Sequence, residues 1–313
     1  MTRVLITCPP ALATADQYVA RLSPEGVTVM TAAVVQQLSE ADLLPLVGDI
    51  EGLIAGDDQL TARVLEGAPR LRVIVRWGIG MDNVDLAAAE RLGVRVVNTP
   101  GVFGDEVADV AIGYLILLAR QLHRIDSGVR AGGWPKPQGV SLAGRRLAIV
   151  GLGSIGRSVA RRGAAMGMSV AGCDISPVAR ELAAADGVHV GELDLLAEEC
   201  DALVLCSPLT PQTRQMINAA LIARMPAGAW LVNVARGGLV DEPALIAALQ
   251  SGHLGGAALD VFDSEPLPPD SPLRTLDNVI LGSHNASNTA DAVARVNALA
   301  CELLLNGLAE VRR

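Results

Sequence analysis

Apolar and polar positions fall into alternating blocks along the chain, and the alternation runs through twice. In the N-terminal third the runs "RVLIT" (3–7), "VTVM" (27–30), "GLIA" (52–55), "LRVIV" (71–75) and "VRVVN" (94–98) are short, almost continuously apolar and rich in β-branched residues. Strands buried on both faces of a sheet have that pattern. Segments with helical spacing lie between them, such as 61–67 and 84–92. Strands alternating with helices predict a parallel sheet covered on both sides. A longer stretch, 104–122, predicts one helix, and "GGWPKPQG" (132–139) a loop. The pattern then restarts at "RRLAIV" and continues with strands at 169–173, 202–206, 230–234, 256–260 and 279–281, closing on a helix over 288–306. The order predicts an α/β protein with two parallel-sheet units.

Composition narrows the class. The 313 residues leave room for two domains, which commonly take roughly 100–200 residues each. With 50% hydrophobic and 19% charged residues, the chain can bury a large core and is not a disordered one. A formal charge of −9 argues against a nucleic-acid or membrane-surface partner. No apolar run reaches the ~20 residues of a membrane span; "VADVAIGYLILLA" (107–119) reads as a buried helix. The N-terminus "MTRVLITCPP" lacks the apolar stretch and cleavage site of a secretory leader. Cys8, Cys173, Cys200, Cys206 and Cys301 form no CxxC pair, and several sit in strand-like runs. Reduced core thiols in a cytoplasmic protein are expected, not zinc ligands or disulfides.

The chemistry begins at "LAIVGLGSIGRSVA". Gly151, Gly153 and Gly156 have G-x-G-x-x-G spacing between an apolar strand and an amphipathic helix. Gly151 suits a tight turn, Gly153 a close approach of the backbone to a pyrophosphate, and Gly156 close packing of helix on strand. The helix N-terminus adds unpaired N–H groups and a favourable dipole. Asp174 ends the next strand, 18 positions after Gly156. A carboxylate there can bond both ribose hydroxyls of NAD and repel the 2′-phosphate of NADP. A turn or helix-capping aspartate is the alternative.

Three more polar residues follow apolar strands of the second unit: Arg236 in "WLVNVARGGLVDE", Glu265 in "GAALDVFDSEPLP" and His284 in "VILGSHNAS". Ligands of open parallel sheets sit outside the carboxyl ends of the strands. Hydride attack on a carbonyl carbon builds negative charge on its oxygen, which a protonated imidazole can quench. A carboxylate on the other ring nitrogen orients the imidazole and favours its charged form. A guanidinium can clamp a substrate carboxylate. His284, Glu265 and Arg236 fill these roles; taken singly, each has an ordinary structural alternative.

With these residues in place, the chain resembles the D-isomer-specific 2-hydroxyacid dehydrogenase family over nearly its whole length. "RWGIGMDNVD" (76–85), "NTPGVFGDEVADVAIGYLI" (98–116), "GLGSIG", "SPLTPQTRQMI" (207–217), "NVARGGLVDEPALIAAL" and "GAALDVFDSEPLP" carry the likeness. The resemblance implies two doubly wound parallel-sheet domains: a flavodoxin-like substrate domain (1–98 with 285–313) and an inserted Rossmann NAD-binding domain (99–284), with an active site in the cleft between them. It assigns Arg236 to the substrate carboxylate, Glu265 to orienting His284, and His284 to acid/base work. Main-chain groups of Trp77, Gly78 and Gly80 are implied at the carboxylate. Ser154 and Ile155 are implied at the pyrophosphate, and Ser207, Pro208 and Thr213 along the dinucleotide groove. Val234 and Asp260 are implied on the nicotinamide side. Arg76 is a candidate for a second anionic group of the substrate.

The stretch around the histidine departs from the family pattern, which commonly has Pro before it. Here Ser283 and Asn285 flank it. Asn285 or Asn288 can add a hydrogen bond to substrate or cofactor, or can belong to a solvent-facing loop variant. The expected activity is NAD-dependent interconversion of a small 2-keto acid and its D-2-hydroxy acid, in a homodimer formed through 104–122 and the loop around Trp134. The alternatives are 3-phosphoglycerate dehydrogenase specifically and a non-catalytic NAD(H)-sensing regulator of the same fold. With the last residue at Arg313, no additional regulatory domain is expected.

Overall fold

The apolar runs pair into two separate parallel sheets in the computed structural model, which describes residues 2–310. The first holds β1 (Thr2–Ile6), β2 (Val27–Thr31), β3 (Gly52–Ala55), β4 (Val73–Arg76) and β5 (Arg95–Asn98). Among the described residues these form five strands in the order β2-β1-β3-β4-β5, the flavodoxin-like arrangement, whose order reverses between β1 and β3. The whole of β3 and β4 is buried, which explains their uninterrupted apolar character. Leu43, Val47, Ile50, Val64, Leu65 and Ala88 pack into one core cluster with Leu5, Leu53 and Ile74. The helix Ala290–Glu310 packs against β3 and β4, burying Val296, Ala300, Cys301, Leu304 and Leu308. By length and hydropathy alone that helix passes for a membrane span, but half of its most apolar window is buried inside the protein.

The second sheet holds β6 (Arg146–Val150), β7 (Ser169–Cys173), β8 (His189–Val190), β9 (Ala202–Leu205), β10 (Trp230–Asn233), β11 (Gly256–Leu259) and β12 (Val279–Leu281). Among the described residues the order is β12-β11-β10-β9-β6-β7-β8, all parallel. This is a Rossmann sheet, switching between β6 and β9, with β12 added at one edge. Its core joins Ile217, Leu221, Leu231, Leu245, Leu259 and Leu273.

Two compact units result, 1–102 with 288–313 and 103–287. The crossings fall slightly later than at 98/99 and 284/285, for identifiable reasons. Thr99 donates its N–H to the Gly78 carbonyl at 3.0 Å, and Arg295 donates to the Val102 carbonyl at 3.1 Å. Residues 99–102 are thereby tied to the first unit. On the return, the N–H groups of Asn285 and Ala286 bond to Asp260, so the loop past His284 stays with the second.

The expected helix 104–122 is instead two helices, Gly104–Arg120 and Leu122–Arg130, broken where Gln121 takes the left-handed φ of 51°. The closing helix runs over Ala290–Glu310 instead of 288–306, because Thr289 caps its first turn through Ala292. The two-residue β8 is too short to leave a pattern.

Candidate active site

The dinucleotide turn is built where β6 meets the helix Ser154–Ala165. Gly151 has φ 94°, and a Cβ there would lie 2.7 Å from the backbone nitrogen of Ser207. Only glycine suits a turn so placed. A Cβ on Gly156 would collide with the Gly151 carbonyl, whereas one on Gly153 would meet nothing within 4 Å. The backbone is thus packed tightly behind the turn and open in front of it. The helix begins without a capping side chain or an acidic residue in its first turn, so the N–H groups of Ser154 and Ile155 and the positive dipole end suit an anion.

Asp174 follows β7 and braces the same turn. Its Oδ2 accepts the Leu152 N–H at 2.7 Å and its Oδ1 the Ser176 N–H at 2.8 Å. Both oxygens are used once and retain acceptor capacity. The capping of the next helix falls to Ser176 rather than to Asp174. Ser207 follows β9 and is buried, and its Oγ has no hydrogen-bond partner. A buried hydroxyl is seldom left so, and this one lies beside the turn. Thr213 is employed locally: its Oγ1 donates to the Pro208 carbonyl at 2.8 Å and accepts the Thr210 N–H at 2.8 Å, holding the 208–213 turn closed. Open glycine turn, bracing carboxylate and orphaned hydroxyl together fit a dinucleotide.

Past β10, β11 and β12 stand the three chemical residues. Asn233 shapes the arginine loop, donating to the Arg236 carbonyl at 2.9 Å and accepting the Ala235 N–H at 3.1 Å. Val234 is buried beneath it. Gly237 lies directly against the backbone of Phe262, so the Arg236 loop and the loop carrying Glu265 touch. Both oxygens of Glu265 are engaged: Oε1 accepts the Phe262 N–H at 2.9 Å, and Oε2 lies 2.7 Å from Nδ1 of His284. The side chains of His284 and Glu265 are 21% and 15% exposed, sheltered enough to strengthen the pair yet open to a ligand.

Asp260, at the end of β11, holds the histidine loop. Its carbonyl accepts the His284 N–H at 2.7 Å, its Oδ2 the Ala286 N–H at 2.9 Å, and its Oδ1 the Asn285 N–H at 3.3 Å. Tyr114 donates its hydroxyl to the same Oδ1 at 3.2 Å, and burial pushes that phenol well above its ordinary range. Asn285 and Asn288 are exposed.

In the first unit, taken by itself, a glycine loop follows β4. Trp77 and Gly78 are committed elsewhere: the Trp77 N–H bonds to the Ala55 carbonyl at 2.9 Å, and the Gly78 N–H to Thr99 Oγ1 at 2.9 Å. These bonds tie the loop to β3 and to the segment after β5. Among the described residues of the loop, Ile79 and Gly80 are two whose N–H groups make no hydrogen bond, and Ile79 is one the motif had not singled out. The indole of Trp77 donates to Asn297 Oδ1 at 2.8 Å, which also accepts the Tyr18 hydroxyl at 2.7 Å. Arg76 is buried and ion-paired with Asp57.

Comparison with known proteins agrees with this architecture. Residues 112–286 match the family model for the D-isomer specific 2-hydroxyacid dehydrogenase, NAD binding domain. The chain is 36% identical over 274 residues to a glyoxylate reductase of Thermofilum pendens, covering 85% of this chain and 81% of that protein. It is 38% identical over 269 residues to a D-3-phosphoglycerate dehydrogenase of Methanocaldococcus jannaschii, covering 85% of this chain but 51% of the relative, so it spans about half the length of that enzyme. A crystal structure of D-lactate dehydrogenase from Aquifex aeolicus, complexed with NAD and lactic acid, superposes with a TM-score of 0.85 at 29% identity, covering 98% of this chain and 96% of that one. The chain belongs to the D-isomer specific 2-hydroxyacid dehydrogenase family, and its second unit is the family's NAD-binding domain.

Proposed function

We propose that the protein interconverts a small 2-keto acid and its D-2-hydroxy acid with NAD(H), using His284 as acid/base and Arg236 to hold the substrate carboxylate. The observation that carries the proposal is the 2.7 Å contact between His284 Nδ1 and Glu265 Oε2, on loops at the carboxyl end of the sheet. When bound, the nicotinamide supplies or accepts the hydride. In the reductive direction, His284 gives a proton from Nε2 to the carbonyl oxygen as charge grows on it. Glu265, fixed by the Phe262 N–H, stabilises the protonated ring and sets its orientation. Arg236 clamps the carboxylate and polarises the adjacent carbonyl.

For the cofactor, Ser154, Ile155 and Ser207 would hold the pyrophosphate, Asp174 the adenosine ribose, and Pro208 and Thr213 the groove wall. Val234 and Asp260 would flank the nicotinamide. The proposal extends to a homodimer formed around the Gly104–Arg120 helix and the Trp134 loop. Its support is that Trp134 is 77% exposed, and that Leu122 and Val129 of the following helix are 41% and 43% exposed.

The test is NADH oxidation across about a dozen 2-keto acids, since a general acid contributes on the order of 10²–10⁴-fold. His284→Gln should lose turnover by that order while still binding NADH. Full turnover in that variant would sink the assignment.

A further inference from the structure

The helix Gly104–Arg120 is apolar along its inner face: Ala111, Ile112, Leu115, Leu118 and Ala119 are buried, and the helix packs against β10 and β11. Tyr114 stands apart in that stretch. It is one of two tyrosines in the chain and is half-buried. A phenylalanine would bury the same ring, so the hydroxyl is the part that needs a partner. That hydroxyl donates to Asp260 Oδ1 at 3.2 Å. Burial first, and the charge of Asp260 second, hold the phenol above its ordinary range. The proton therefore stays on the tyrosine, and the carboxylate is the acceptor.

The other partners of that carboxylate come from the segment it holds. Among the described residues, Oδ1 also accepts the Asn285 N–H at 3.3 Å and Oδ2 the Ala286 N–H at 2.9 Å. Those bonds join the Asp260 side chain to the histidine loop, but the two can shift together. Tyr114 is the partner that comes from a different element, a helix fixed by its own buried face. The contact also lies directly against the chain that leads from β12 into His284: a Cβ on Gly282 would collide with both the Tyr114 hydroxyl and Asp260 Oδ1. His284 needs an external hold, because its backbone is left-handed at φ 54°, a conformation that persists where the surroundings over-determine it.

We propose that Tyr114 is a positioning residue for His284: by holding the Asp260 carboxylate from the helix, its hydroxyl fixes the loop on which the imidazole stands. It acts through Asp260, not on the reacting atoms. All of the groups involved belong to the second unit. The catalytic consequence rests on the keto-acid reductase proposed above; the tether itself does not.

The test compares wild type with Tyr114→Phe, which keeps the ring and removes the hydroxyl, and with Tyr114→Leu, which removes both. Two quantities are read. One is the single-turnover rate of NADH oxidation with the 2-keto acid that wild type reduces fastest. The other is hydrogen–deuterium exchange at the N–H groups of residues 284–286. Tyr114→Phe should lower the rate by about tenfold, the equivalent of one hydrogen bond to a charged group. Exchange at 284–286 should quicken by about the same factor, with β6 and β7 unchanged, because the opening is local. Tyr114→Leu should slow turnover about as far, its lost packing showing in the thermal midpoint. A wild-type rate in Tyr114→Phe overturns the inference, whatever Tyr114→Leu does. A slower rate with unchanged exchange at 284–286 overturns it as well, because the loop would not have moved. If wild type binds NADH but reduces no keto acid, the reductase reading fails; exchange in Tyr114→Phe then decides the tether alone, and unchanged exchange refutes it.

Discussion

Asp260 binds His284 through the backbone: its carbonyl accepts the histidine N–H at 2.7 Å, and its carboxylate accepts the two N–H groups that follow. His284 adopts φ 54°, a left-handed conformation uncommon for a residue with a Cβ. Such a conformation persists where the surroundings over-determine it, and three successive N–H groups converging on one aspartate do so. Glu265 then fixes the ring, so histidine backbone and side chain are positioned by different acidic residues.

Asp260→Asn should therefore impair catalysis through loop geometry. The amide keeps one acceptor oxygen but turns an NH2 toward a backbone donor that had an oxygen. Misplacing a reacting group by about 1 Å can cost on the order of 10²-fold, and kcat should fall by about that much. Steady-state kinetics with a keto acid at saturating NADH, beside circular dichroism to verify folding, measures it; unchanged kcat would refute the positioning role.

Asn297 should matter for stability more than its position on the closing helix suggests. It accepts from Trp77 and Tyr18 and donates to Thr14 Oγ1 at 2.8 Å. Asn297→Leu removes the acceptor that two buried donors share, and each weakened donor costs about 1–3 kcal/mol. Urea unfolding should show a loss of about 2–5 kcal/mol on that basis, and KM for the keto acid should rise because the glycine loop loses its anchor at Trp77. A loss under about 0.5 kcal/mol, the level of an ordinary surface substitution, would show that water replaces the amide.

Much of this arrangement was legible in the chain, and the rest was hidden for physical reasons. "GLIA" and "LAIV" read as strands because both faces are buried, and Arg236, Glu265 and His284 stood out because each follows such a run. The partners of these residues did not stand out. Asn297 meets Trp77 across 220 residues, and Asp57 meets Arg76 only through the β3–β4 register. For Trp77 and Gly78, pattern identifies a loop, whereas the hydrogen bonds that its N–H groups make inside the fold are visible only in the structure. Gln121 carries no turn signature, so the break in the 104–122 helix depends on how the chain packs there.

Alkaline pH should destabilise the protein through its thiols. Burial pushes Cys8, Cys200 and Cys206 from an ordinary value of 9.0 up to about 12, and Cys173 and Cys301 to about 11. Between those limits the folded chain keeps protons that the unfolded chain releases. This contribution is full below pH 9 and is lost as pH climbs toward 11–12. The buried phenols of Tyr18 and Tyr114 act in the same sense at higher pH. The thermal midpoint should fall steadily from pH 8.5 to 10.5, and the fall should be shallower in Cys200→Ala, whose small side chain suits the buried site. An identical slope in that variant would remove Cys200 from the explanation.

Asp174 should govern cofactor choice less cleanly than a charge-repulsion argument predicts. Its carboxylate braces the glycine turn through Leu152, in addition to the ribose contact proposed for it. Asp174→Ala removes repulsion toward NADPH and at the same moment unpins the turn that both cofactors share. NADH binding should weaken by about 10- to 100-fold, the scale of one or two charge-assisted hydrogen bonds. NADPH binding should improve by less than about tenfold, because the gained tolerance is offset by a looser pyrophosphate cradle. Titrating protein fluorescence with each dinucleotide separates the two effects. Equal and opposite changes for NADH and NADPH would mean that Asp174 acts by charge alone and that the bond to Leu152 is dispensable.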